Sequence, residues 1–114
     1  MNWCDVTRVP ALRGAWFSAV SDTRFKRFSD SYRARFGAPP YRVSTLGYDA
    51  VLLALRVARD WRPGRSFPTS RLRDAGGFLG LDGAFRFTRP GVAERAMEVR
   101  EVREGSVVVI DAAP

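Results

Sequence analysis

The sequence has no histidine and only one cysteine among its 114 residues. Without histidine, the chain cannot build a Ser-His-Asp triad, a Cys-His nucleophile or a histidine-ligated zinc site. Its single cysteine, Cys4, cannot form an internal disulfide or a thiolate cluster. No two of the aspartates in the central part of the chain, Asp49, Asp60, Asp74 and Asp82, have the spacing typical of a paired general acid and base. We therefore expect no enzymatic activity, no cofactor and no bound metal.

Long apolar runs and a targeting segment are missing as well. The longest apolar run, residues 50–55, is far shorter than the roughly 18–20 residues that cross a bilayer, so we expect no membrane insertion. The first residues show no basic region followed by an apolar one, so the chain as written lacks a signal peptide. From these residues alone, we expect it to stay in the cytoplasm.

Lysine is scarce too, although the chain is strongly basic. It carries 19 basic and 12 acidic residues, a net charge of +7, and only Lys26 is a lysine. Such a charge is typical of proteins that bind nucleic acid or an anionic surface. However, the arginines extend from Arg8 to Arg103, and only residues 24–35 form a dense basic cluster. A solvated helix face is the favoured interpretation of that cluster, and a small arginine-rich nucleic-acid-binding module is the alternative.

The first predicted helix runs from about Asp22 to Phe36, after a short buried strand over residues 14–18. Ser21 or Asp22 is a suitable N-cap, and Gly37 is a typical helix end. Aromatic residues recur at spacings of 3, 4 and 4, which places them in one stripe; they are Phe25, Phe28, Tyr32 and Phe36. We expect this stripe to face the core rather than to stack on nucleic-acid bases.

The second predicted helix runs from about Thr45 to Trp61, with Ser44 as its N-cap. Apolar residues cover most of its circumference, and only Asp49 and two arginines interrupt them. A helix that is apolar nearly all round is buried on several sides. The other predicted elements hardly suffice for that, so the pattern indicates further protein around this helix.

The last third is predicted to be mainly β-structure, after a short helix over residues 68–75. Phe85 and Phe87 alternate with other residues after an Asp-Gly turn, and residues 89–91 make the next turn. Glu104 and Gly105 form a two-residue hairpin loop before the strand at 107–110. Residues 92–103 fit a helical and a strand period equally well, so the residues alone leave their structure open.

Two blocks of sequence resemble a known family. The first is Phe28-x-x-x-Tyr32-x-x-x-Phe36-Gly37-x-x-Pro40 followed by Tyr48-Asp49-Ala50-Val51. The second begins with Gly77-Phe78-x-Gly80-x-Asp82-Gly83-x-Phe85-Arg86-Phe87 and continues to Val109-x-Asp111. Their order and spacing are similar to the C-terminal part of the type I periplasmic solute-binding proteins, which include leucine/isoleucine/valine-binding proteins. The tail from Gly77 most resembles the α-proteobacterial branch of penicillin-binding protein activators.

The resemblance implies an α/β fold: the C-terminal portion of a type I periplasmic-binding-protein fold. It would have two or three helices followed by a β-hairpin or meander and an incomplete sheet. Residues 1–114 would form a single partial domain, about a third of the family length, with residues 95–103 as a hairpin strand. In the family, the second helix packs against a parallel sheet built mostly by upstream sequence.

The functional implication is a non-catalytic, periplasmic protein. It would bind an amino-acid-like small molecule for an ABC transporter or activate peptidoglycan synthesis through a cell-wall or transport protein partner. Val43 and Ser44, at the entry to the second helix, would border the ligand cleft. The competing interpretation of Ser44 is a plain N-cap, and nucleic acid is an unlikely partner under this resemblance.

Overall fold

The computed structural model describes residues 6–89 and 91–114. Within them lie two α-helices and six β-strands. The helices are α1 (Thr23–Phe36) and α2 (Ser44–Val57). The strands are β1 (Trp16–Ala19), β2 (Phe78–Gly80), β3 (Gly83–Arg89), β4 (Val92–Arg95), β5 (Glu98–Arg103) and β6 (Ser106–Asp111). Two short 3-10 helices complete the list, Pro10–Leu12 and Thr69–Arg73.

The chain forms two compact units, residues 22–95 and residues 1–21 together with 96–114. The first unit holds both helices and an antiparallel sheet in the order β2-β3-β4. Its core is built by Val57 of α2 with Phe78 and Phe85, which lie opposite each other on β2 and β3. Leu72, from the 3-10 helix at Thr69–Arg73, also packs on this core.

The second unit is an antiparallel sheet in the order β1-β5-β6. Arg103 and Ser106 close the β5–β6 hairpin, so the predicted Glu104-Gly105 loop is confirmed. Of the two loop residues, Gly105 is the one with a positive φ, 66°, so the glycine stands where the turn requires a left-handed residue. The strand implied by the resemblance at residues 95–103 corresponds to β5, whereas β4 at Val92–Arg95 was not predicted.

The β5 strand of this unit buries a charged pair. Glu98 and Arg100 are both buried, and Oε1 of Glu98 accepts a 2.7 Å hydrogen bond from Nε of Arg100. Nη2 of Arg100 also donates a 2.9 Å hydrogen bond to the main-chain oxygen of Val20. Because both charges have partners, the cost of removing them from water is offset.

The helices agree with the sequence predictions except at their ends. Helix α1 ends where expected, with Gly37 in the left-handed conformation at a φ of 79°. Asp22 occupies its N-cap position without a side-chain capping bond. Helix α2 ends at Val57 instead of Trp61, because the chain turns tightly after it: the N–H of Trp61 donates to the oxygen of Ala58.

Four other predictions need correction or lie outside the described residues. The strand predicted at 14–18 is β1, but Trp16 on it is exposed rather than buried. The short helix predicted at 68–75 is the 3-10 helix Thr69–Arg73. The turn predicted at 89–91 includes Pro90, and Cys4 precedes residue 6, so both residues fall outside the described part. Within the described part, neither helix is long and apolar enough to span a bilayer.

Candidate functional site

The start of α2 carries both residues predicted to border a ligand. Val43 occupies the N-cap position and is 66% exposed, whereas Ser44 is the first helical residue and is half-buried. No side chain caps the helix, so the prediction that Ser44 is the N-cap is wrong. The backbone N–H of Ser44 donates to the oxygen of Tyr41 at 3.0 Å, and that of Leu46 donates to the oxygen of Val43 at 3.1 Å. The role of Val43 and Ser44 in ligand binding stays a prediction.

The residues on either side of Val43 and Ser44 belong to a polar cluster that the sequence did not predict. Oγ1 of Thr45 lies 2.8 Å from Oδ2 of Asp82 and 3.1 Å from the main-chain oxygen of Arg42. With one hydroxyl proton to donate, Thr45 favours the shorter bond to the charged carboxylate. Nη1 of Arg42 donates a 3.1 Å hydrogen bond to Oγ1 of Thr45. The cluster thus joins the first turn of α2 to the turn between β2 and β3.

Arg42 connects this cluster to α1. Its Nη1 makes a 2.9 Å charge contact with Oδ1 of Asp82, without hydrogen-bond geometry. Its Nη2 lies 3.5 Å from Oδ1 of Asp22, directly before α1. The guanidinium carbon also lies 4.5 Å from the ring centroid of Phe25, within the range of a cation–π contact. Arg42 therefore holds the segment preceding α2 against the β2–β3 turn on one side and the start of α1 on the other.

A second buried carboxylate, Asp49, lies one turn further along α2. Its Oδ1 accepts a 2.8 Å hydrogen bond from the backbone N–H of Leu81, and no described residue gives its buried Oδ2 a hydrogen bond. A Cβ added to Gly80 would lie 2.6 Å from Cγ of Asp49. Glycine at position 80 therefore lets the carboxylate approach the backbone of the β2–β3 hairpin.

Asp49 and Asp82 are both buried, yet their contacts indicate structural roles. Each carboxylate joins α2 to the β2–β3 hairpin, through Leu81 in one case and Thr45 in the other. The Asp82-Gly83 turn is a sufficient local explanation of Asp82, but it gives no sign of the partners of this carboxylate 37 and 40 residues upstream. Among the described residues, no cluster of three or more metal-ligating side chains is present. The polar cluster of Arg42, Thr45 and Asp82 is therefore best described as a clasp that fixes the start of α2.

The opposite face of α2 is apolar and uncovered by the described residues. Val51 is 61% exposed and Leu55 is 64% exposed, whereas Val57 on the core side is 1% exposed. Leu46 and Leu52 are exposed as well. We call Gly47, Val51, Ala54 and Leu55 the outer face of α2. Its exposure agrees with the sequence-based interpretation that this helix packs against further protein.

Helix α1 carries the basic cluster and the aromatic stripe. The rings follow one another along the helix, with centroids 5.9 Å apart for Phe28 and Tyr32 and 4.5 Å apart for Tyr32 and Phe36. Phe25, Phe28 and Tyr32 are half-buried, but Phe36 is 62% exposed. The expectation that the whole stripe faces the core is therefore wrong at Phe36.

This arrangement of helices and strands is found in known structures. The chain is 26% identical to a branched-chain amino acid ABC transporter protein from Rhodospirillum rubrum, with a TM-score of 0.67. That match covers 89% of this chain and 32% of the other. The chain has part of the type I periplasmic binding protein fold. The expected α/β fold class is thereby confirmed.

Two further structures with this binding-protein fold are similar. The leucine-binding protein of Thermotoga maritima is 27% identical with a TM-score of 0.53 and 91% of this chain covered. A solute-binding protein of an ABC transporter from R. palustris, solved with benzoate, is 24% identical with a TM-score of 0.54 and 92% covered. This chain spans about a third of the length of each of the three structures. Neither the protein-family models nor the curated proteins give a match to the sequence.

Proposed function

We propose that this chain is the C-terminal portion of a non-catalytic solute-binding protein that takes an amino-acid-like ligand. The observation that carries the proposal is the match to the Rhodospirillum rubrum protein over 89% of this chain. The three similar structures are solute-binding or transporter proteins, two of them for branched-chain amino acids or leucine. By the same argument, the protein acts in the periplasm.

The outer face of α2 supports the proposal that more protein surrounds this chain. Large exposed apolar surfaces usually mark contacts with other protein. The outer face also contains Gly47, which has no side chain, and Ala54, whose side chain is a single methyl group, so another element can pack closely against it. A sheet built by the remaining two thirds of the binding-protein fold is the proposed cover.

The exposed start of α2 is the proposed contact with the ligand. The first N–H groups of a helix and its dipole attract a carboxylate, which an amino acid supplies. Val43 and Ser44 stand at this end, and no side chain caps it. The clasp formed by Arg42, Thr45 and Asp82 would hold this end in position while the ligand binds.

The second candidate function is that of a binding-protein relative that activates peptidoglycan synthesis instead of serving a transporter. Its partner would be a cell-wall protein rather than a free amino acid. The resemblance of the tail from Gly77 to penicillin-binding protein activators supports this variant. A ligand screen separates the two, because only the transport protein is expected to bind amino acids with saturation.

The first experiment is an immunoblot of the source organism with an antibody against residues 77–111. We expect a periplasmic band of about three times the 12.8 kDa of this chain, because the chain spans about a third of its structural neighbours. That native protein is then titrated calorimetrically with leucine, isoleucine, valine and benzoate. A cytoplasmic band at 12.8 kDa alone would overturn the proposal. The nucleic-acid-binding module would then become the leading function.

A further inference from the structure

An open groove of about 670 Å³ runs along α1. We call it the α1 groove. Its lining includes three arginines, Arg24, Arg27 and Arg35, and three aromatic rings, Phe28, Tyr32 and Tyr48. The groove belongs entirely to the unit formed by residues 22–95. It thus combines positive charge with an aromatic surface in one place.

The charges of the α1 groove lack partners within the described residues. Arg24 and Arg27 make no ion pair or side-chain hydrogen bond there, and Arg35 contacts only the Phe36 ring, 5.7 Å from its centroid. The first turn of α1 contains no acidic residue, although Arg24 and Lys26 lie near the positive end of the helix dipole. Arg24 and Arg27 also repel each other at a spacing of three. This charge pattern opposes helix stability, and an anionic partner would reverse that effect.

The dimensions of the groove favour an elongated partner over a small ligand. Arg24 and Arg35 are eleven residues apart, a rise of about 16 Å along a helix at about 1.5 Å per residue. One small anion cannot contact arginines at both ends. Small-molecule sites also enclose most of their ligand, whereas this groove is open.

The ring geometry favours protein over nucleic acid. The Phe28 ring is tilted 51° to Tyr32 and 59° to Tyr48, with centroids 5.9 and 5.3 Å away. The rings therefore pack against one another, and they do not form the parallel platforms on which bases stack. Their combined surface instead suits aliphatic or aromatic side chains.

We infer that the α1 groove binds an acidic segment of a partner protein. Carboxylates of the segment pair with Arg24, Arg27 and Arg35, because a guanidinium binds a carboxylate through two parallel hydrogen bonds. Apolar side chains of the segment contact Phe28, Tyr32 and Tyr48. This inference does not depend on the proposed ligand site, which lies at the start of α2.

The test measures fluorescence anisotropy of labelled probes against the full 114-residue chain. The main probe is a Glu-, Leu- and Ala-containing amphipathic peptide about as long as α1. Two matched peptides replace every glutamate by glutamine or every leucine by serine, and a thymidine oligonucleotide is the fourth probe. We expect saturable binding of the main peptide and at least tenfold weaker binding of both matched peptides and of the oligonucleotide.

Two triple variants separate the α1 groove from general positive charge. Arg24→Gln, Arg27→Gln and Arg35→Gln together should weaken peptide binding at least tenfold. The control removes the same charge from the same unit, through Arg59→Gln, Arg62→Gln and Arg65→Gln, and should change binding less than twofold. All six positions are exposed, and glutamine is a good helix former at the three that lie in α1, so both variants are expected to keep the circular dichroism of the parent.

Three results would overturn the inference. One is the absence of saturable binding of the acidic peptide to the parent chain. Another is equal weakening by the two triple variants, which would indicate unspecific attraction. The third is tighter binding of the oligonucleotide than of the peptide, with loss in the groove variant, which would assign the groove to nucleic acid.

Discussion

The hydroxyl of Thr45 donates a 2.8 Å hydrogen bond to the carboxylate of Asp82 across 37 residues of sequence, and both side chains are buried. Thr45 lies in the first turn of α2, and Asp82 lies in the turn between β2 and β3. The bond therefore ties the proposed ligand-facing end of α2 to the hairpin. Arg42 reinforces it with contacts to both residues.

Replacing Thr45 by valine should destabilise the chain by about 1–3 kcal/mol. Valine keeps the shape of threonine but removes the hydroxyl, so Oδ2 of Asp82 loses its 2.8 Å hydrogen bond in a buried position. Urea unfolding followed by circular dichroism measures the change. Thr69→Val, at an exposed threonine, is the control and should shift stability by less than about 0.5 kcal/mol. Equal effects of the two substitutions would contradict the clasp.

Replacing Gly80 by alanine should disrupt the contact between α2 and the β2–β3 hairpin. The new Cβ would lie 2.6 Å from Cγ of Asp49, so the carboxylate must leave the N–H of Leu81. Overpacking of this kind costs about 1–3 kcal/mol.

Gly47→Ala is the matched control, because Gly47 lies in α2 with open space around an added Cβ. Removing a glycine from a helix interior should stabilise the chain by about 0.5–1 kcal/mol. The two glycine-to-alanine changes are therefore expected to have opposite signs in urea unfolding. A stabilising Gly80→Ala would show that Asp49 does not occupy this position.

Elements that depend on local sequence were predicted well. Gly37 ends α1 because glycine adopts the left-handed conformation without strain, and the prediction needed only that residue. The Glu104-Gly105 loop between β5 and β6 was predictable for the same reason. The strands at 92–103 were not, since their residues fit two periods; the family resemblance implied the strand at 95–103, which is β5, and β4 was not predicted.

The clasp was unpredictable because it depends on pairs that are distant in sequence. Asp82 has an adequate local explanation in its Asp-Gly turn, and nothing near it points to Thr45. The same limit explains the wrong N-cap. Ser44 has the right residue type for a cap, but contacts of Arg42 and Thr45 with Asp82 fix the start of α2, and the helix begins at Ser44 itself.

The pKa of Glu101 is expected below its usual value in the folded chain. The main cause is the 2.9 Å hydrogen bond from Nε of Arg103, and the second is the 3.0 Å bond from Nε1 of Trp16 on β1. A lowered folded-state pKa contributes stability above the ordinary glutamate pKa, and this contribution is lost as the pH falls through the folded value. Carbon-13 NMR of the side-chain carboxyl during an acid titration measures it.

Arg103→Gln should raise the pKa of Glu101 toward its ordinary value, because it removes the charged donor. Trp16→Phe should raise it less, since it removes the weaker contribution. In Glu101→Gln, the unfolding free energy should lose this part of its pH dependence. An unchanged pKa in both donor variants would show that these hydrogen bonds do not form in solution.

Substitutions on the outer face of α2 should change stability differently in this chain and in a longer protein that contains it. Leu55 is 64% exposed here, so Leu55→Gln should change the stability of the 114-residue chain by less than about 0.5 kcal/mol. Val57 is 1% exposed, so Val57→Ala should cost about 2 kcal/mol in the same urea experiment.

In the native protein detected by the immunoblot, Leu55→Gln should instead cost about 2 kcal/mol or more, because an uncompensated amide would be buried under the proposed sheet. Val57→Ala should cost the same in both proteins, since its neighbours Phe78 and Phe85 belong to this chain. A similar small effect of Leu55→Gln in the longer protein would mean that the outer face stays in water there. A large effect in the 114-residue chain would mean that a second copy already covers it, which a concentration-dependent unfolding midpoint would reveal.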